Sequence, residues 1–347
     1  MKKRLCILVI VALLLMLSAN AEPSNSVPIH FPDSNFEIAI REIIGKPGGD
    51  ILASDVAGIT ALDVSERGIV DLTGIEYFTA LESLSCGSNG LKSLDISKNS
   101  ALRVLGCAEN SLKTLNVSQN PALEWLDCFD NDLTTLDVTQ NHALIGFGCS
   151  GNQLTTLDIS HNLALKNLSC FDNPLMLLDV SQNPALEWLS CANTQLTTLN
   201  MGHTPALKEL RCSDNQLTTL DVSRNPALEW LSCDGNQLTT LDTSHNFMLE
   251  LLFCSENRLT VLDTSHNPLL KNLGCYSNKL TILDVSQNPA LESLWCDDNQ
   301  LTTLDVSQNS MLKVLSCQNN FFLNQSAIIG LEESRLDSFT FDPQNAI

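Results

Sequence analysis

The sequence predicts a repeat solenoid, mainly β, with two short parallel strands in each 21-residue coil, a helical N-terminal cap and little other helix. Three observations carry this prediction. Cysteine recurs every 21 residues at Cys86, Cys107, Cys128, Cys149, Cys170, Cys191, Cys212, Cys233, Cys254, Cys275, Cys296 and Cys317. Leucines from Leu81 to Leu312 keep the same period. Each copy divides into two halves, LxxLxCxxN and LxxLDVSxN, that alternate apolar and polar residues as a half-buried strand does. A fixed period of this length means one unit stacked on copies of itself.

A single coil cannot stand alone. About six apolar side chains per copy point inward, worth roughly 1.5–3 kcal/mol each when buried. Fixing a residue's backbone costs roughly 1–2 kcal/mol, and that cost is met only when neighbouring coils share burial and hydrogen bonds.

The chain divides as follows. Residues 1–21 read as a secretory signal peptide, with Lys2, Lys3 and Arg4 ahead of the apolar run Leu5–Leu17 and the small-x-small site Ala19-Asn20-Ala21. Residues 22–58 form the N-terminal helical cap. Ser34 and Glu37 are placed as its capping box, Phe36, Ile40, Ile43 and Ile44 as its buried face, and Gly45 and Pro47 as its stop. Residues 59–80 make a first, 22-residue repeat. Residues 81–322 hold twelve 21-residue repeats, the last partial. Residues 323–347 form a C-terminal cap in which Phe339 and Phe341 close the stack and Gln325 stands where leucine belongs.

Two asparagine columns mark the corners. Asn89, Asn110 and Asn131 follow the cysteine strand, and Asn99, Asn120 and Asn141 follow the Asp-Val half. A short amide partners the backbone groups a turning chain leaves without strand neighbours. Thr194 and Thr204 interrupt both columns in one copy, which predicts a local irregularity.

Charge restricts the partners. Forty acidic residues against 19 basic ones give −21, and removal of residues 1–21 takes this to −24 by loss of three cations. Nucleic acid is a poor partner for that surface. No segment beyond the leader has the length and apolarity of a membrane span. The expected location is outside the cell, secreted or associated with a bacterial surface.

The repeat units resemble the 21-residue nested leucine-rich repeats of bacteria, in which both halves mimic the leucine-rich strand motif. The segment Phe31–Ala80, with FPDSNFEIAIREIIG and the IxDLxGIE stretch, resembles the internalin-like cap and first repeat. The resemblance implies a right-handed solenoid that binds proteins or glycans on its strand face. Internalins usually repeat every 22 residues and carry wall-anchoring regions; the 21-residue period departs from that, and host-cell invasion is not carried over.

Three columns offer chemistry. The cysteines share the buried side of their strand with leucine, so they read as packed thiols, with disulfides between neighbours or a metal site as alternatives. The aspartates, Asp95 to Asp305, point outward and read as a solvated ladder. Weak Ca²⁺ binding at Asp242, Asp263, Asp284 and Asp305 is the alternative. His161, His203, His245 and His266 share one corner and read as exposed polar residues. No Ser/His/Asp, HExxH or phosphate-loop pattern is present, and a uniform row of carboxylates lacks the split environments of an acid–base pair. The expectation is a non-enzymatic protein without a cofactor.

The outward positions beside the cysteines vary while those of the second half repeat. They carry the candidate ligand-binding residues Trp125, Phe129, Phe171, Trp188, Arg211, Trp230, Phe253, Tyr276 and Trp295. An uneven face with exposed aromatics is a recognition candidate. A protein partner is the first expectation, a glycan-binding adhesin the alternative, and a passive surface component the third.

Overall fold

The computed structural model describes residues 27–202 and 204–345. The leader proposed for residues 1–21 lies outside the described residues, as does His203. No helix among the described residues is long and apolar enough to cross a membrane.

One parallel sheet of 14 strands runs the length of the stack, from Ala61–Asp63 to Ser338–Thr340. Its pairing follows the repeat: Leu84 faces Leu105, Leu105 faces Leu126, and Leu231 faces Leu252. The first step is one residue longer, with Leu62 against Leu84, and the last is longer by three, with Leu315 against Phe339. The inward leucines are buried, Leu157 and Leu199 only partly, and all twelve periodic cysteines are fully buried with them in one continuous core.

The second half of the repeat forms strand only locally, at Leu177–Asp179 with Thr198–Asn200 and at Leu304–Asp305 with Ile328–Ile329. This differs from the expected pair of strands in every coil. On this side the backbone groups have other partners. Asp95 Oδ1 accepts the Ser97 N–H at 2.9 Å, and Asp158 and Asp221 do the same with Ser160 and Ser223. The same contact is made at Asp179 and Asp305, which end the two second-side strands, so it turns the chain after this position in coils with and without a strand.

Both asparagine columns act across coils. Asn152 Nδ2 donates to the carbonyls of Cys128, Cys149 and Ser150, and its Oδ1 accepts the Leu133 N–H at 3.0 Å. Asn120 Nδ2 donates to Ile96 O at 3.1 Å and Asn99 O at 2.9 Å. The columns supply bonds that a second ladder would otherwise make. Where Thr194 replaces asparagine, its hydroxyl donates to Cys191 O at 2.7 Å, and Gln195 takes a positive φ that its equivalents in other coils do not. The irregularity is therefore present, and the neighbouring second-side strands lie beside it.

The N-terminal helix, α1, spans Ser34–Ile44. Its cap is Asp33 and not Ser34: Asp33 Oδ1 accepts from Asn35 N at 2.8 Å and Phe36 N at 3.1 Å. Asp33 prevails because Oδ2 also accepts the Val70 N–H at 2.6 Å, tying the helix to the first repeat. Glu37 turns away to Arg41 at 2.7 Å. Phe36, Ala39 and Ile40 are buried, while Ile43, expected on the same face, is exposed. Gly45 ends the helix in the left-handed region at φ 65°. A second short helix, α2, spans Ala53–Val56. At the far end Ile328 takes the inward leucine place that Gln325 lacks, and Phe341 stacks on Phe322 at 6.0 Å.

Candidate recognition face

Strand alternation and register place the outward side chains in straight columns along the 14-stranded sheet. One edge is a charge column. Arg103 pairs with Glu124 at 2.6 Å, Lys166 and Lys208 both reach Glu187 at 3.2 Å, Lys271 meets Glu250 at 2.6 Å and Lys313 meets Glu292 at 2.8 Å. Paired lysines hold the Glu187 and Glu292 carboxyls below their ordinary pKa. The regular alternation breaks at Glu229 and Glu250, which stand on adjacent coils. Among the described residues Glu229 forms no ion pair.

Inside that edge the predicted aromatics fall into two groups. In the larger group, Trp230 and Phe253 have centroids 6.4 Å apart, and Phe253 and Trp295 have centroids 6.3 Å apart. Phe253 and Trp295 meet above Gly274. The Arg211 guanidinium lies 4.3 Å from the Trp230 ring centroid and 2.5 Å from Glu209. Arg211 is thereby held by an aromatic face and a carboxylate of its own chain. Trp188, Glu209, Trp230 and Glu229 line a cleft of 340 Å³, with Glu209 on the coil between the two tryptophans. Tyr276 stands to one side and is 36% exposed; its hydroxyl donates to Glu256 at 3.4 Å. Burial first, and nearby carboxylates second, raise the Tyr276 pKa.

The smaller group is Trp125, Phe129 and Phe171 around a 400 Å³ cavity that also takes in Asp127, Gly146 and Gly148. Trp125 is 46% exposed and Phe171 39%. Asp127, Glu209, Glu229 and the two glycines were not among the sequence-predicted binding residues. The signal for them was the absence of bulk at Gly146 and Gly148 within a column otherwise varied in size, and a break in charge alternation at Glu229.

No family model matches the chain. A segment of 71 residues, 20% of this chain, is 35% identical to Internalin J of Listeria monocytogenes serotype 4b; it spans 8% of that protein. The solved functional domain of InlJ from Listeria monocytogenes, described as including a cysteine ladder, superposes with a TM-score of 0.81 at 33% identity. The match covers 90% of this chain and 74% of that one. The chain belongs to the bacterial internalin-like leucine-rich repeat proteins. Two further structures share the fold: an InlF internalin of Listeria monocytogenes (TM-score 0.83, 20% identity, 94% and 100% coverage) and the leucine-rich repeat protein LIC12759 of Leptospira interrogans (0.71, 23%, 84% and 86%).

In this internalin-like protein the twelve periodic cysteines are free thiols, all buried. Burial pushes the Cys86, Cys170, Cys275 and Cys317 thiols up to about 12 and holds the other eight well above the ordinary value. A thiol held un-ionised at neutral pH is a poor nucleophile. The outward aspartates Asp242, Asp263, Asp284 and Asp305 each accept the N–H two residues on, at 2.9 Å. Among the described residues no group of three or more His, Cys, Asp or Glu side chains is placed to hold a metal ion. His161, His245 and His266 each meet the hydroxyl of the preceding serine at 3.1 Å.

Proposed function

We propose that this internalin-like protein acts outside the cell, exported by the leader read in residues 1–21, and binds a protein partner through the face of the 14-stranded sheet. The observation that carries this reading is the contrast between its two sides. The second side repeats Asp-Val-Ser turns whose side chains are committed to the backbone. The strand side holds aromatic and charged groups that change from coil to coil and make two clefts. A scaffold alone requires no such variation, whereas recognition does. Aromatic and arginine side chains are the residue types that dominate protein interfaces. Leucine-rich repeat domains of the internalin type generally mediate protein binding and are typically non-enzymatic.

The decisive experiment is a pull-down with the folded protein from extracellular and cell-surface fractions. One saturable protein partner, lost on Trp188→Ala with Trp230→Ala, is the expected result. Signal on a glycan array that disappears in the same double variant would replace this reading with the adhesin, which the exposed indole of Trp125 and the half-buried one of Trp188 also support. Silence in both assays, with ordered self-assembly, would replace it with a structural role.

A further inference from the structure

At one place on the strand face a whole coil steps back. Three successive coils present Trp125, Asp127 and Phe129, then Gly146, Gly148 and Ser150, then Asn167, Ser169 and Phe171. Register makes these a grid of three by three, with the smallest residue at its centre. Trp125 leans over the gap: a Cβ on Gly146 would fall 2.1 Å from the indole. Asp127 leans the same way, and a Cβ on Gly148 would fall 3.0 Å from its Oδ1. Phe129 and Phe171 bound the gap from coils two steps apart, which is about 9–10 Å between backbones. Both rings line the cavity.

We propose that this vacant coil is a subsite for a guanidinium group, supplied by an arginine side chain of a protein partner. The inference rests on the reading of the strand face as protein-binding. Asp127 is the one charged group lining the cavity, and among the described residues it makes no ion pair. Its recorded hydrogen bond is a long one, 3.4 Å from the Phe129 N–H. The carboxylate is open to water at its rim yet hemmed in by the aromatic walls, and this desolvation raises its pKa. A weakly hydrated, planar cation suits such a place: its faces stack on the rings and its fork meets the carboxylate through two N–H donors. An ammonium suits it less, because it is more strongly hydrated and has neither a flat face for the rings nor a fork for the carboxylate. The Ser150 and Ser169 hydroxyls are already joined to each other at 2.8 Å. A sugar ring would need more polar partners than this largely apolar cavity holds.

Titration of the protein with butylguanidinium, against butylurea as its neutral isostere, tests the assignment, read by calorimetry and by the indole N–H resonance of Trp125. Saturable binding of butylguanidinium is expected, at least tenfold tighter than butylurea and at least tenfold weakened by Asp127→Asn. Gly148→Leu, which fills the gap, blocks it. Phe171→Ala removes one exposed wall, keeps the core intact and weakens binding several-fold, so the test survives a misfolded Gly148 variant. Equal affinity for butylurea or butylammonium, undiminished binding by Asp127→Asn, or no saturation at tens of millimolar overturns the assignment. A protein that binds butylguanidinium at this slot yet captures no polypeptide keeps the subsite and removes the protein-binding reading instead.

Discussion

Raising the pH from 8 to 9 destabilises this protein through its buried cysteine column. In the unfolded chain a thiol ionises near ~8.5. In the fold the four least shifted cysteines ionise only at about 12, because burial disfavours the thiolate. The unfolded state therefore releases protons that the folded state retains. The stabilisation is fully present below the unfolded thiol pKa and falls as pH rises through it towards the folded values. Between pH 8 and pH 9 each thiol contributes about 0.7 kcal/mol of lost stability, and twelve give ~8 kcal/mol. That is comparable to the whole stability of an ordinary domain, about 5–15 kcal/mol. Lysine and tyrosine titrate higher, near ~10 and above, so this window belongs to the thiols. The assay is urea unfolding followed by far-ultraviolet circular dichroism at pH 7, 8, 8.5 and 9, at constant ionic strength with a reductant present. The midpoint is expected to fall modestly between pH 7 and 8, where twelve thiols lose about 2 kcal/mol, and then steeply. A parallel thiol count should find almost none reactive in the folded protein and all of them in denaturant. A midpoint that stays level from pH 8 to 9, or fast labelling of most thiols in the native state, refutes the argument.

Other outcomes follow from single contacts. Asn152→Ala leaves the buried Leu133 N–H without an acceptor and removes one of the two donors to each of the Cys128, Cys149 and Ser150 carbonyls, and should cost about 1–3 kcal/mol in denaturant unfolding. Leu189→Ala, in the fully buried leucine file, should cost about 2–5 kcal/mol, and a loss below ~1 kcal/mol would contradict the packed core. Acid should also destabilise the fold. The serine hydroxyl and then its amide lower the pKa of Asp158 and Asp221, and the amide and then the hydroxyl lower that of Asp95 and Asp263. Their contribution is present above the unfolded carboxyl value and is lost as pH falls through the lower folded one, so calorimetric Tm should drop below pH 4. Gly146→Ala should displace the Trp125 indole and shift tryptophan emission while leaving Tm nearly unchanged.

The regular parts of this molecule were legible because repetition leaves little choice. The Leu-x-Cys motif puts leucine and cysteine on one side of a strand, and the unvarying 21-residue step keeps each strand in register with the next. Core, thiol column and outward aromatic columns all follow from that. The cap was read less well. Asp33 and Ser34 are equally good caps locally, and the choice fell to Asp33 because it also binds Val70, 37 residues away. The second row of strands was expected from an alternation that is present, but the ladder forms at only two places, and the aspartate contact with the amide two residues on is common to coils with and without it.

By itself the sequence determined the stack, its repeat length, its buried leucines and cysteines, and which residues face outward, since all of these depend on period alone. Only the tertiary structure decided which outward residues meet. Phe253 joins Trp230 and Trp295, and Arg211 folds onto Trp230. Trp125 and Asp127 lean over two glycines to leave a gap. Side-chain direction within a column depends on the size of the neighbour one coil away, and that is a property of the packed array.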